Sequence, residues 1–365
     1  MVPGPFVVCV MRVSRTHALR FILALLASLG GLACAGAQTA SSQAADDKQP
    51  TAIQFTLDRP IDAVAAPVVM AQAGGLFGAE GLSVNIGTTA TSQDAIARVT
   101  SGASDLALVD INALMRHRDK EKPDSPHAKA VFMLFNRAAY AIIARKSRGI
   151  QTLAELDGKS LGLVEGDPAA KLWPAVAKQN GIKLSRIKQS DISAAVREPM
   201  LSAGQVDAVT GISYLTAINL RDRGVPADDL VLLKFADYGC EAYGLAIIVN
   251  PAFAATKPEA VRGFVRAVIG GLNMTVKEPA LALGQVVERM DGGSRDIELE
   301  RWRVMLRDNI LTAEVRRNGL GGIDAGRFER SIDQVAEGFK FQKRPTAADI
   351  FDDSFLPPLN GRLIN

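Results

Sequence analysis

The stretch Val68–Asp110, VVMAQAGGLFGAEGLSVNIGTTATSQDAIARVTSGASDLALVD, decides how the rest of the chain is read. Val68, Val69, Met70, Ala73 and Leu76 fall at helical spacing, and Gly74, Gly75 and Gly78 supply the permissive backbone that a helix end needs. Leu82, Val84 and Ile86 alternate with Ser83 and Asn85, the pattern of a strand with one buried face. The polar loop 87–92 follows, and Ser92 is placed to cap a helix over 93–100, with Gly102 at its end. Leu106, Ala107, Leu108 and Val109 form an apolar run suited to a buried parallel strand, with Asp110 at its carboxyl end. Helix, strand, loop, helix and strand in this order build an α/β layer, and a polar loop between strand and helix is where such layers bind small molecules.

Outward from this stretch, Ile53, Phe55 and Leu57 alternate as a first strand, ending in the charged turn Asp58-Arg59-Pro60-Ile61-Asp62. Charges at the carboxyl end of a buried strand either face solvent or aim into a cleft, and the second reading singles out Arg59 and Asp62. Downstream, residues 111–118 read as a short helix, 131–135 and 139–144 as strands, and 145–151 as a connection to a second α/β unit. That unit repeats the alternation: strands at 161–164, 187–189, 206–209 and 230–233, and helices from Pro168, over 194–203 and over 213–221. Pro174 and Pro199 fall inside two of these helices. Segment 238–244 reads as the return connection, and four helices at 258–277, 279–290, 297–308 and 325–338 complete the first unit.

The order "A..G.F...GL.V, small polar loop, SG.SDLAL.D" resembles the periplasmic solute-binding proteins of ABC importers, in the group that includes sulfonate, nitrate and thiamine-pyrimidine-precursor binders. Leu153-Ala154-Glu155-Leu156-Asp157-Gly158-Lys159-Ser160-Leu161-Gly162 resembles that group's entry to the second lobe, and Phe355-Leu356-Pro357 its ending, so the likeness runs over about residues 53–358. The resemblance implies an α/β, two-lobed periplasmic-binding-protein fold (type II), with a parallel-dominated sheet in each lobe and a hinge of two crossovers. Lobe one would hold residues 52–145 and 244–365, and lobe two 146–243. It also implies a receptor that closes on a small organic anion or a nitrogen- or sulfur-containing heterocycle and delivers it, as a monomer, to an inner-membrane permease. The candidate ligand contacts are Arg59, Asp62, Thr89, Thr91, Ser92 and Asp110 from lobe one, and Asp167, Tyr214, Glu241 and Tyr243 from lobe two. Arg59 would pair with an anionic group, and the acids with a ligand amine or ring N–H. The tyrosines are either hinge packing or stacking platforms.

Arg12, Arg15 and Arg20 precede the apolar run 21–26, and small residues follow up to Ala37, so residues 1–37 read as a secretory signal peptide and 38–51 as a flexible leader. Cleavage after Ala37 competes with a lipoprotein signal ending at Cys34. Three of the 42 basic residues lie in that signal, leaving 39 against 39 acidic and no basic excess for nucleic acid. Cys9 and Cys34 would be removed with it, leaving Cys240 without a disulfide partner. The three histidines, His17, His117 and His127, are too few outside the signal for an imidazole-built metal site. Neither a Gly-x-x-x-x-Gly-Lys-Ser/Thr loop nor a Gly-x-Gly-x-x-Gly run occurs, so no nucleotide cofactor is expected. Two other classes stand beside the receptor. One is a periplasmic sensor subunit with the same cleft. The other is an enzyme like the pyrimidine synthases that resemble these binders, whose cysteine-rich motif has no counterpart here.

Overall fold

The computed structural model describes residues 49–122 and 126–364; the expected signal peptide, Cys34 and most of the leader lie outside them. Ten strands form two sheets: β1 (Thr51–Leu57), β2 (Leu82–Thr88), β3 (Leu106–Asp110), β4 (Lys129–Met133), β5 (Tyr140–Arg145), β6 (Ser160–Val164), β7 (Lys188–Ile192), β8 (Ala208–Ile212), β9 (Leu230–Lys234) and β10 (Leu245–Val249). The first sheet runs β2-β1-β3-β10-β4 and the second β7-β6-β8-β5-β9. Each is an α/β lobe with four strands in one direction and one reversed. In both, the reversed strand is the one that has just arrived from the other lobe, β10 or β5. A strand entering from the neighbouring lobe starts at the edge facing that lobe, where the parallel strands end, so it has to run backwards.

The helices are α1 (Ala66–Ala73), α2 (Leu76–Ala79), α3 (Ser92–Thr100), α4 (Ile111–Lys120), α5 (Pro168–Gln179), α6 (Arg197–Ser202), α7 (Ser213–Asp222), α8 (Pro251–Thr256), α9 (Pro258–Lys277), α10 (Pro279–Val287), α11 (Arg295–Met305), α12 (Ala313–Asn318), α13 (Ala325–Phe339) and α14 (Ala347–Ile350). Phe264 of α9 packs on Phe55 and Phe77, with ring centroids 5.2 Å apart in each pair, and anchors the core of the first lobe.

Four local expectations change. The first crossing lies between Met133 and Tyr140, upstream of 145–151, because β5 pairs on both sides within the second sheet, Ala141 opposite Gly211 and Lys234. Pro199 sits in the first turn of α6, which starts at Arg197 after a short 3-10 turn, so its missing N–H costs no helical bond. The connection left between the strand at 206–209 and the helix from 213 is a direct junction: β8 runs to Ile212 and α7 starts at Ser213. Finally, α13 does not simply cover the first lobe. Its buried Phe328, Ile332 and Val335 share one apolar cluster with Leu172, Trp173 and Val176 of α5, and Lys178 pairs with Glu337 at 3.2 Å.

The two crossovers lie side by side. Ala138 N–H donates to Ala242 O and Gly244 N–H to Phe135 O, both at 2.9 Å. A Cβ at Gly244 would come within 2.9 Å of the Phe135 Cβ, so this approach requires glycine.

Candidate functional site

The carboxyl edge of the first sheet gathers three connections. After β1, Asp58 is buried, and its Oδ1 accepts from Arg59 Nε at 2.7 Å. After β2, Thr89 folds back to donate to Leu57 O at 3.1 Å. Thr91, with an extended backbone, caps α3 by accepting from Asp94 N–H at 3.1 Å. Ser92 is thus the first helical residue and not the cap; it turns inward and donates to Asp58 Oδ2 at 2.5 Å. After β3, Asp110 N–H donates to Ser92 Oγ at 3.1 Å, and the Asp110 carboxylate caps α4 by accepting from Asn112 N–H at 2.8 Å. Asp62 likewise accepts from Val64 N–H, at 2.9 Å, and caps the turn that leads into α1.

The second lobe meets this edge directly. Arg59 Nη1 donates to the buried Tyr214 hydroxyl at 2.9 Å, and Tyr214 packs edge-on to Phe135 with centroids 5.9 Å apart. The Tyr140 hydroxyl donates to Asp110 Oδ2, while Asn112 Nδ2 donates to Asp110 Oδ1 at 2.9 Å and to the Tyr140 hydroxyl oxygen at 2.8 Å. Asp167 caps α5, accepting from Ala169 N–H at 2.8 Å. Arg197 is also buried and donates to Glu198 Oε1 at 2.9 Å, with its Nη1 3.8 Å from Asp167 Oδ2. A Cβ at Gly211 would stand 2.6 Å from Thr216 Oγ1, so the close approach of α7 to β8 here requires glycine.

Burial dominates the electrostatics. It raises the Asp110 carboxyl, against the bonds from Tyr140 and Asn112. Asp167 is raised by burial and further by Asp110, against its bond from Ala169 N–H and the Arg197 charge, which couples the two carboxyls across the lobes. Asp62 is lifted by burial to about 6 despite Arg59, and the Tyr214 hydroxyl by burial to about 12. For Arg59, burial pulls downward, but Tyr214, Asp58 and Asp62 outweigh it and keep the guanidinium charged. Both arginines are therefore already matched, Arg59 by Asp58 and Arg197 by Glu198. Asp167 has only the longer approach of the shared Arg197, at 3.8 Å, and Asp110 feels the Arg116 charge without a direct ion pair among the described residues.

The structure thus brings together Arg59, Asp62, Ser92, Asp110, Asp167 and Tyr214. Thr89 and Thr91 stay on the rim, with hydroxyls spent on local turns. Glu241 and Tyr243 do not join. Glu241 lies 3.4 Å from Arg327 and 3.3 Å from Arg330 on α13, and the Tyr243 hydroxyl donates to Glu314 Oε1 at 2.7 Å, beneath the Arg327 guanidinium. Both fasten the second crossover to the C-terminal helices. Asp58, Tyr140, Asn112 and Arg197 are the members that residue type and spacing did not single out. Tyr140 carries one usable signal: it stands near the start of the apolar strand read over 139–144. Among the described residues, no group of three or more His, Cys, Asp or Glu could hold a metal ion, and no helix is long and apolar enough to cross a membrane.

A family model described as "NMT1/THI5 like" matches residues 62–282. Among curated proteins, the formylaminopyrimidine-binding protein of Halalkalibacterium halodurans is 25% identical over 90% of this chain and 96% of its own. The 4-amino-5-hydroxymethyl-2-methylpyrimidine phosphate synthase of Aspergillus parasiticus is 26% identical over 61% of this chain and 66% of that enzyme. Among solved structures, the periplasmic aliphatic sulphonate binding protein SsuA of Escherichia coli superimposes with a TM-score of 0.64 at 14% identity, over 84% of this chain and 100% of that one. At that identity the likeness speaks for the fold.

Proposed function

The chain belongs to the NMT1/THI5-like family, and from that premise we propose that it is the solute receptor of an ABC-type importer, holding a small nitrogen heterocycle between its lobes. One observation carries the reading: Asp110 from the first lobe and Asp167 from the second are buried close enough for the charge of one to raise the other, and the cation beside Asp167, Arg197, is held at shorter range by Glu198. Asp167 Oδ2 accepts no hydrogen bond among the described residues, the nearest cation being Arg197 Nη1 at 3.8 Å. Two such acceptors ask for a ligand that brings donors, amine or ring N–H groups, which a pyrimidine with exocyclic nitrogen supplies. A sulfonate would bring only acceptors to carboxylates.

A ligand touching both acids contacts both lobes and therefore favours the closed arrangement, which is the differential affinity that a receptor needs. Arg59 then acts first as a pin between lobes, through Tyr214, and offers a ligand its second Nη1–H and the two N–H groups of Nη2. The receptor would work in the periplasm as a monomer and hand its ligand to a membrane permease; this part of the reading rests on what the related proteins are.

The test is a thermal-shift and calorimetry screen against aminopyrimidines, sulfonates and inorganic anions. A ligand at about 100 times its dissociation constant adds about 2.7 kcal/mol and is readily seen. Binding of an aminopyrimidine that is recovered unchanged supports the reading; preference for a sulfonate overturns it. The synthase relatives keep an enzyme as the second reading. Burial pushes the Cys240 thiol up to about 11, which leaves it a protonated, unreactive thiol at neutral pH. Turnover lost in Cys240→Ser would restore that reading.

A further inference from the structure

A cavity of about 420 Å³ opens along α4 beyond the buried acids. Ala113, Arg116, His117 and Lys120 line it from one stripe of the helix, the stripe that begins at the cap residue Asp110. Phe339 and Phe341 form the opposite wall. That wall is built by an unusual helix end. Lys340 stops α13 in the left-handed region, at φ 54°, the only non-glycine residue with positive φ among those described. Phe341 N–H then closes back on Ala336 O at 3.0 Å, which returns the second ring beside the first, centroids 6.5 Å apart.

The two walls differ in chemistry. The Arg116 guanidinium lies 4.6 Å from the centre of the Phe339 ring, and its buried Nε has no hydrogen-bond partner among the described residues. Lys120 is exposed at the rim. The one carboxylate in the lining, Asp119, accepts from Lys343 N–H at 2.7 Å and holds the returning segment in place. An unmatched cation on an aromatic wall, in a cavity of ligand size, is a place for a negatively charged group.

Building on the receptor reading above, we propose that the cavity along α4 is a subsite for an anionic substituent of the heterocyclic ligand, a phosphate, carboxylate or sulfonate bound between Arg116, Lys120 and the Phe339–Phe341 wall. The ligand would then be bipolar: donor groups toward Asp110 and Asp167, an anion about two to three helical turns further along α4.

The test compares 4-amino-5-hydroxymethyl-2-methylpyrimidine with its phosphate ester by calorimetry, on the wild type and on an Arg116→Gln/Lys120→Gln double variant. The expected result is a phosphate ester bound at least about tenfold more tightly than the alcohol, with the advantage falling to about threefold or less in the variant while affinity for the alcohol is unchanged. Equal binding of the two compounds, an advantage that survives in the variant, or no binding of either overturns the subsite. Binding of the alcohol alone sinks the subsite and leaves the receptor reading standing, whereas preference for a plain sulfonate in the screen above removes the heterocycle reading on which the subsite rests. Lys120→Gln by itself, at an exposed position, guards against a folding defect in the double variant and should lose part of the same advantage.

Discussion

Asp62→Asn is the most informative single change, because it isolates the cost of burying one carboxylate. Burial lifts this group from 3.8 to about 6, in spite of the opposing pull of Arg59 and the bond from Val64 N–H. A raised acid is neutral to stability below its unfolded pKa, becomes a growing cost as the pH rises from that value to the folded one, and is a constant cost above it. At about 1.4 kcal/mol per pH unit, that interval amounts to about 3 kcal/mol. Asparagine keeps the size and still accepts from Val64 N–H as a cap. The ligand-free variant should therefore match the wild type below about pH 4 and exceed it by about 3 kcal/mol above about pH 7, with the gain building up between about pH 4 and about pH 6. Urea unfolding across that range measures it, and the difference between the two proteins cancels the other titrating groups. A difference that is flat with pH, or a variant less stable at neutral pH, would refute the argument that burial governs this carboxyl.

Tyr140→Phe removes the hydroxyl that Asp110 accepts from and should cost about 1.5–3 kcal/mol in urea unfolding near neutral pH, the range for a bond to a charged group; an unchanged midpoint would mean that the interlobe bond is not formed in solution. Arg59→Ala should weaken ligand binding by about tenfold or more in calorimetry, since it releases Tyr214 and leaves Asp58 buried without its partner. Gly211→Ala should lose about 1–3 kcal/mol of stability, as its methyl meets Thr216 Oγ1 at 2.6 Å, and a neutral result would show that α7 gives way there. Cys240, buried and pushed up to about 11, should react with a thiol reagent at neutral pH far more slowly in the native than in the unfolded protein; equal rates would count against its burial.

Sequence alone determined the elements and the edge they share. Alternation in Ile53-Phe55-Leu57 and Leu82-Val84-Ile86 and the polar loop 87–92 place strand ends beside one another, because these signals are local and the period of the backbone reads them. Arg59, Asp62, Ser92, Asp110 and Asp167 were reachable on that basis, each lying at or just after the end of a parallel strand. Only the tertiary structure decided which sheet β5 joins, since its apolar run fits either and the choice lies in pairing with Thr210 and Leu233, far along the chain. That choice carries Tyr140 to Asp110 and puts a missed residue at the centre of the site. The same dependence on distant partners hides Asp58 within a charged turn and Arg197 ahead of a helix-breaking proline, and it draws Glu241 and Tyr243 outward to α13. Charge itself is legible in a sequence. Whether a charge is matched depends on what folds against it, and here folding gave Arg59 to Asp58 and Arg197 to Glu198 and left Asp167 only the 3.8 Å approach of Arg197.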